Sequence, residues 1–269
     1  MELSEFARQV FSCEGIDCVS VIPLSECKIK KPYLLERAGL DSSRGSVIML
    51  AVPYLFRNGE ERNISLYSVS RDYHLYFSEL FGKVLPLFRK AFPKNVFEGF
   101  ADHSPIDEVT CAAKSGLGVL GRNGLLITKK YASFVFLGEI ICDVETEAQA
   151  LVPKGCEGCG LCERACPVGL EKDKCLSSLT QKKGELTSEE KEKIRELGSV
   201  WGCDICQSVC PHSQNAAETE IEFFREKRIS FLRSDIIDNM SNSDFADRAY
   251  SWRGRQTLLR NILIFEDME

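Results

Sequence analysis

The chain has 269 residues and a formal charge of −6, with 44% hydrophobic and 28% charged residues. That length allows one large or two small domains, and the composition is that of a globular protein. The acidic balance argues against nucleic-acid binding over the whole surface and leaves a local basic patch open. No apolar run reaches the roughly 20 residues that span a bilayer, so no membrane association is expected. The start, "MELSEFARQVFSCEG", lacks a basic flank before an apolar stretch, so no signal peptide is expected and the expected compartment is the cytoplasm.

In chain order, "LSEFARQVF" reads as an amphipathic helix, "CVSVIPL" as a strand and the apolar, β-branched "GSVIMLAVPYL" as a buried strand. Apolar residues at helical spacing predict a long helix over about 71–92. In "SPIDEVTCAAKSG", Ser104 is the expected N-cap, Pro105 the first helical residue, Asp107 the capping-box residue and Gly116 the C-cap. "GLLITKK" and "SFVFLGEIICD" read as two strands of a hairpin. "TSEE" at 187–190 is a capping box that opens a charged helix to about 197, and 219–269 reads as helices ending in "WRGRQTLLRNILIF". The expected fold class is α+β: a mixed α/β domain over 1–150, a ferredoxin-like module over 151–215 that folds around its metal, and a helical segment over 216–269 packed on the core.

Eight of the 13 cysteines crowd into 156–210, a distribution that favours metal ligation in a reducing compartment. The other five, Cys13, Cys18, Cys27, Cys111 and Cys142, have no ligand-like spacing and read as small buried hydrophobes. "CEGCGLCERACP" is C-x2-C-x2-C-x3-C-P, the bacterial ferredoxin run, whose first three thiolates hold one cubane and whose fourth serves the other. A structural zinc site needs only four ligands, usually in paired C-x2-C units, so eight cysteines with this ending favour iron–sulfur. "WGCDICQSVCP" is the same motif with Val200 in the first cysteine position. The crossover rule then assigns Cys156, Cys159, Cys162 and Cys210 to one 4Fe–4S cluster. Cys166, Cys203 and Cys206 are left one thiolate short, and the nearby Cys175 of "KCLSSLT" completes the second set.

Together these features resemble the epoxyqueuosine reductases, cobalamin-dependent iron–sulfur enzymes that complete queuosine in tRNA and share an architecture with reductive dehalogenases. The resemblance rests on "ISLYSVSRDYH" (64–74), "ADHSPIDE" (101–108), "AAKSGLGVLGRNGLLIT" (112–128), "FLGEII" (136–141), "KCLSSLT", "WGCDICQSVCP" and "LLRNILI". It extends from about residue 45 to 265. Leu66 and Val109 stand where the family often has arginine, Val119 and His212 where it has tryptophan, and Ser178 where it has tyrosine. The sequence stops after "LLRNILIF", where longer members add a helical-repeat domain that helps hold tRNA.

The resemblance implies a 1–150 domain that binds cobalamin, with contacts from Ser65, Asp102, Leu126, Leu137 and Ser177. It also implies that two clusters feed electrons singly to the cobalt from a donor of flavodoxin or ferredoxin type, with tRNA as the substrate-bearing partner. The reaction needs an acid for the departing oxygen, and Asp102 matches that role; burial against a corrin face would raise its pKa and keep it protonated. The plainer reading of Asp102 is help in capping the following helix, although Ser104 is better placed for that. Arg71 and Tyr73 read equally as corrin-edge contacts or as helix capping and packing. His74 and His212 could ligate cobalt, but lone histidines are more often structural. Glu108 is accounted for by the helix dipole, and Glu139 matches a family position. The tail arginines Arg225, Arg228, Arg233, Arg248, Arg253, Arg255 and Arg260 form either a solvated face or a tRNA contact. Two further functions fit the sequence: a related reductase of a small molecule, and an electron-transfer protein without cobalamin.

Overall fold

The structure is a computed structural model that describes residues 2–266. Its centre is a four-stranded antiparallel sheet in the order β1 (Val19–Pro23), β2 (Ser46–Pro53), β6 (Val135–Cys142), β3 (Phe97–Phe100). Every residue of β2 is buried, as its unbroken apolar run requires. Helix α1 (Leu3–Cys13) and the long α3 (Tyr73–Ala91) cover one face, where Ala7, Phe11, Phe77, Val84 and Phe88 pack with Ile48, Leu50 and Ile140. Helices α2 (Pro32–Ala38) and α4 (Glu108–Lys114) cover the other, packing Leu35, Cys111 and Ala112 on Val47, Met49 and Ile141.

Two expectations for this half are corrected. The strand at 126–127 does not form a hairpin with β6. As β5 (Leu126–Ile127) it pairs with β4 (Val119–Leu120), and Thr128–Ala132 closes a separate turn before β6 enters the central sheet. Helix α4 also starts three residues later than the sequence suggests. Asp107, not Ser104, is its N-cap, accepting from the Thr110 N–H. Ser104 is occupied elsewhere: its hydroxyl bonds the Glu139 carboxyl and accepts from the Ile106 N–H. The N–H groups of Lys30 and Lys31 both donate to the Pro105 carbonyl, which holds 105–106 extended.

Short elements carry the cysteine segment: α5 (Leu161–Ala165), α6 (Leu176–Thr180), α7 (Ser188–Leu197, with its capping box formed at Thr187 and Glu190), α8 (Ile205–Ser208) and α9 (Pro211–Gln214). Helices α10 (Glu222–Arg225), α11 (Ser234–Asn239), α12 (Asn242–Ala246) and α13 (Arg255–Glu266) follow. The cysteine segment shares the main core: Val200 and Trp201 are fully buried in it with Phe224, Tyr250 and Leu258. Asn261 of α13 ties the pieces together, donating to the carbonyls of Thr180 (2.7 Å) and Val200 (2.9 Å).

The five remaining cysteines are not alike. Cys142 is buried, but Cys13 is exposed and Cys18 is half-buried. The Cys27 and Cys111 side chains meet between the turn after β1 and helix α4, with Cα atoms 5.4 Å apart. Their 84-residue separation hides this contact from spacing arguments.

Candidate functional site: two cysteine sets and the Asp102 loop

Cys156, Cys159, Cys162 and Cys210 line one cavity together with Arg122, Asn123 and His212. The loop reaches this shape because Gly158 and Gly160 adopt left-handed backbone (φ +66° and +74°), reversing the chain between ligands. The Arg122 N–H points at Cys156 Sγ (3.4 Å), a donor suited to thiolate sulfur. Cys166, Cys175, Cys203 and Cys206 form the other group: negative charge on Cys166 or Cys175 would raise the thiol pKa of both Cys203 and Cys206. Burial pushes the Cys206 thiol up to about 11. Four soft sulfur donors in each set suit iron–sulfur ligation.

The second set is fastened to the α/β half through Asp204. Its carboxylate accepts from the Ser65 hydroxyl, the Leu66 N–H (2.8 Å) and Arg62 (2.7 Å). Ser65 also donates its N–H to the Trp201 carbonyl at 2.7 Å, and Trp201 Nε1 donates to the Tyr67 hydroxyl at 2.9 Å. Gly202 lets these segments meet: at φ +73°, a Cβ there would lie 2.5 Å from Ser65 Cβ. Asp204 carries no signal of this role in the sequence, where it is only the filler of a cysteine motif. Ser177 sits on α6 next to Cys175, with its hydroxyl accepting from Gln181.

Asp102 lies on the loop after β3, with non-glycine backbone at φ +61°. Its side chain is 67% exposed, and His74 Nε2 stands 3.6 Å from Oδ2. The ion pair with His74 holds the Asp102 carboxyl below its usual value. His74 is raised in turn to about 9 by Asp102 and by Asp72, which caps α3 and bonds His74 Nδ1 at 2.8 Å. Asp102 does not cap α4. Leu126 is buried in β5, whereas Leu137 and Val135 stay partly exposed in β6, in the middle of the sheet and on the face of α4. Tyr73 stacks on Phe136 and His74, and Arg71 pairs with Glu79 and Asp247, so capping and packing account for both. His212 is 3.8 Å from Glu157. Several tail arginines do not form a free basic face: Arg248, Arg255 and Arg260 donate to backbone carbonyls, and Arg228 is largely buried against Phe56 and Glu60.

Comparison with known proteins gives the class first. Residues 155–213 match the 4Fe-4S double cluster binding domain, and the fold is that of the epoxyqueuosine reductases and, more distantly, of a catabolic reductive dehalogenase (TM-score 0.52, 13% identity). In sequence the chain is similar to bacterial epoxyqueuosine reductases. It is 33% identical over 180 residues to the one from Lactococcus garvieae, covering 62% of this chain and 50% of that one. With the Bacillus cereus enzyme it shares 29% over 246 residues, covering 81% and 63%. The solved Streptococcus thermophilus epoxyqueuosine reductase superposes with a TM-score of 0.79 at 23% identity, over 98% of this chain and 81% of that one. This chain thus spans one half to two thirds of the length of these curated relatives.

Proposed function

We propose that the protein is a cobalamin-dependent iron–sulfur reductase that converts epoxyqueuosine to queuosine in tRNA, working in the cytoplasm with an external donor of flavodoxin or ferredoxin type. The observation that carries this reading is the gathering of Cys156, Cys159, Cys162 and Cys210 round one cavity, with the segment of Cys203 and Cys206 fastened through Asp204 and Ser65 to the domain that bears Asp102. One related structure contains an epoxyqueuosine-modified tRNA-Tyr stem loop.

Removing the epoxide oxygen takes two electrons and two protons. Both C–O bonds break, an alkene forms and the oxygen leaves as water. Cys156, Cys159, Cys162 and Cys210 would hold one cluster and Cys166, Cys175, Cys203 and Cys206 the other. Ser65, Asp102, Leu126, Leu137 and Ser177 would hold cobalamin over the exposed end of β6. Cobalamin supplies, when bound, a low-valent cobalt able to act on the epoxide. This chain's residues supply one of the two protons, and solvent supplies the other. At neutral pH His74 holds one on Nε2 beside the Asp102 carboxylate. Covering the face excludes water, which disfavours the separated charges and moves that proton to Oδ2, from where it reaches the departing oxygen. Asp102→Ala should abolish turnover with clusters and cobalamin loaded; full turnover would eliminate the acid role. Expression in a host lacking its own reductase should restore queuosine. Failure there with all cofactors loaded would turn the reading towards a small-molecule substrate.

A further inference from the structure

Glu139 sits in the middle of β6 and is 0% exposed, yet it is a carboxylic acid inside an apolar sheet. One oxygen bonds the Ser104 hydroxyl, and the other, Oε2, has no hydrogen-bond partner of ordinary geometry. The carboxyl beside it is Glu108, in the first turn of α4. Glu108 in turn accepts the backbone N–H of Asp102 through Oε1 at 3.2 Å. Two carboxylates this close in an apolar site cannot both be charged, and a proton between them turns repulsion into a bond.

We infer that Glu108 and Glu139 act as a proton-sharing latch, in which the Glu108 carboxylate grips the Asp102 N–H and thereby holds the proposed acid in its left-handed backbone conformation. This rests on the reading of Asp102 as the acid. Glu108 and Glu139 are positioning residues, since Glu108 reaches the acid through the Asp102 backbone N–H. A non-glycine residue at φ +61° is strained and persists only where its surroundings hold it.

Burial pushes Glu108 up to about 7 and Glu139 well above the usual carboxyl range, so Glu139 keeps its proton while Glu108 loses one near neutrality. The groups that face the pair are Ser104, Asp102 and Lys31, with Tyr73 near Glu108. His74 and His103 lie beyond, on the far side of Asp102. An ionised Glu108 accepts the Asp102 N–H more strongly than a neutral one.

The test is hydrogen–deuterium exchange at the Asp102 amide in anaerobic holoprotein, across pH 5.5 to 8.5 and corrected for the intrinsic exchange rate. Protection should rise about tenfold as the pH climbs through about 7, the size expected for a hydrogen bond to a charged group. Glu108→Gln keeps an acceptor oxygen but cannot ionise, so the step should vanish. Glu139→Leu removes the proton that Glu108 accepts from its neighbour, so the step should move to higher pH. A flat wild-type profile, a step retained in Glu108→Gln, or an unmoved step in Glu139→Leu would each overturn the latch. Exchange needs no turnover, so failure here is distinguishable from failure of Asp102 as the acid, which the Asp102→Ala activity measurement reads.

Discussion

Gly202→Ala should be among the most damaging small substitutions in this protein. Gly202 has φ +73°, and an alanine Cβ would sit 2.5 Å from Ser65 Cβ, 3.1 Å from Tyr67 Cε1 and 3.2 Å from Ser65 Oγ. A left-handed non-glycine backbone costs about 1–2 kcal/mol. Forcing a methyl group into a packed site adds about 1–3 kcal/mol. Ser65 has little room to retreat, because its N–H is bound to the Trp201 carbonyl at 2.7 Å and its hydroxyl to Asp204. The sum, about 2–5 kcal/mol, is a large part of a typical domain's stability and corresponds to a fall in apparent Tm of roughly 5–15 °C. Thermal denaturation of anaerobic holoprotein, followed by circular dichroism, measures it. Ser65→Gly in the same chain removes the opposing Cβ and should recover the steric part of the loss, leaving the backbone part. An unchanged Tm for Gly202→Ala, or no recovery in the double variant, would refute the close approach.

Three other substitutions read different parts of the molecule. Cys175→Ala should lower the iron content by about half and leave the other cluster's visible absorption, because each cubane takes four of the eight thiolates; full iron occupancy would remove Cys175 from the ligand set. Asn261→Ala should destabilise by about 2–4 kcal/mol, since it leaves two carbonyls unpaired at a fully buried position, and urea denaturation reads the loss. His74→Asn should flatten the alkaline limb of the stability–pH curve. The folded pKa of His74, about 9, lies above its ordinary 6.5, so its contribution is full below about 6.5 and is lost as the pH rises through about 9. Parallel curves for parent and variant would show that the Asp72 and Asp102 contacts do not form in solution.

Local features were legible in the sequence. The apolar run of β2, the α3 periodicity and the Thr187 capping box each depend on neighbours a few residues away, and each formed where those rules place it. What the sequence left hidden comes from partners distant in the chain. Ser104 looks like an N-cap until Glu139, 35 residues on, is seen to take its hydroxyl. β6 looks like half of a hairpin until β2 and β3 flank it. Asp204 and Asn261 show no local pattern, because their partners lie 138 and 139 residues and 61 and 81 residues away. The cysteine motif was readable because cluster chemistry imposes close spacing, while the exposed end of β6 and the Asp102–His74 pairing required the fold.

The Asn261 clamp makes the order of the second thiolate set depend on a residue far outside it. Thr180 lies five residues after Cys175 and Val200 three residues before Cys203, and one side chain of α13 joins their carbonyls. Asn261→Ala should therefore loosen both approaches to that set, and the variant should give up iron to a chelator faster than the parent.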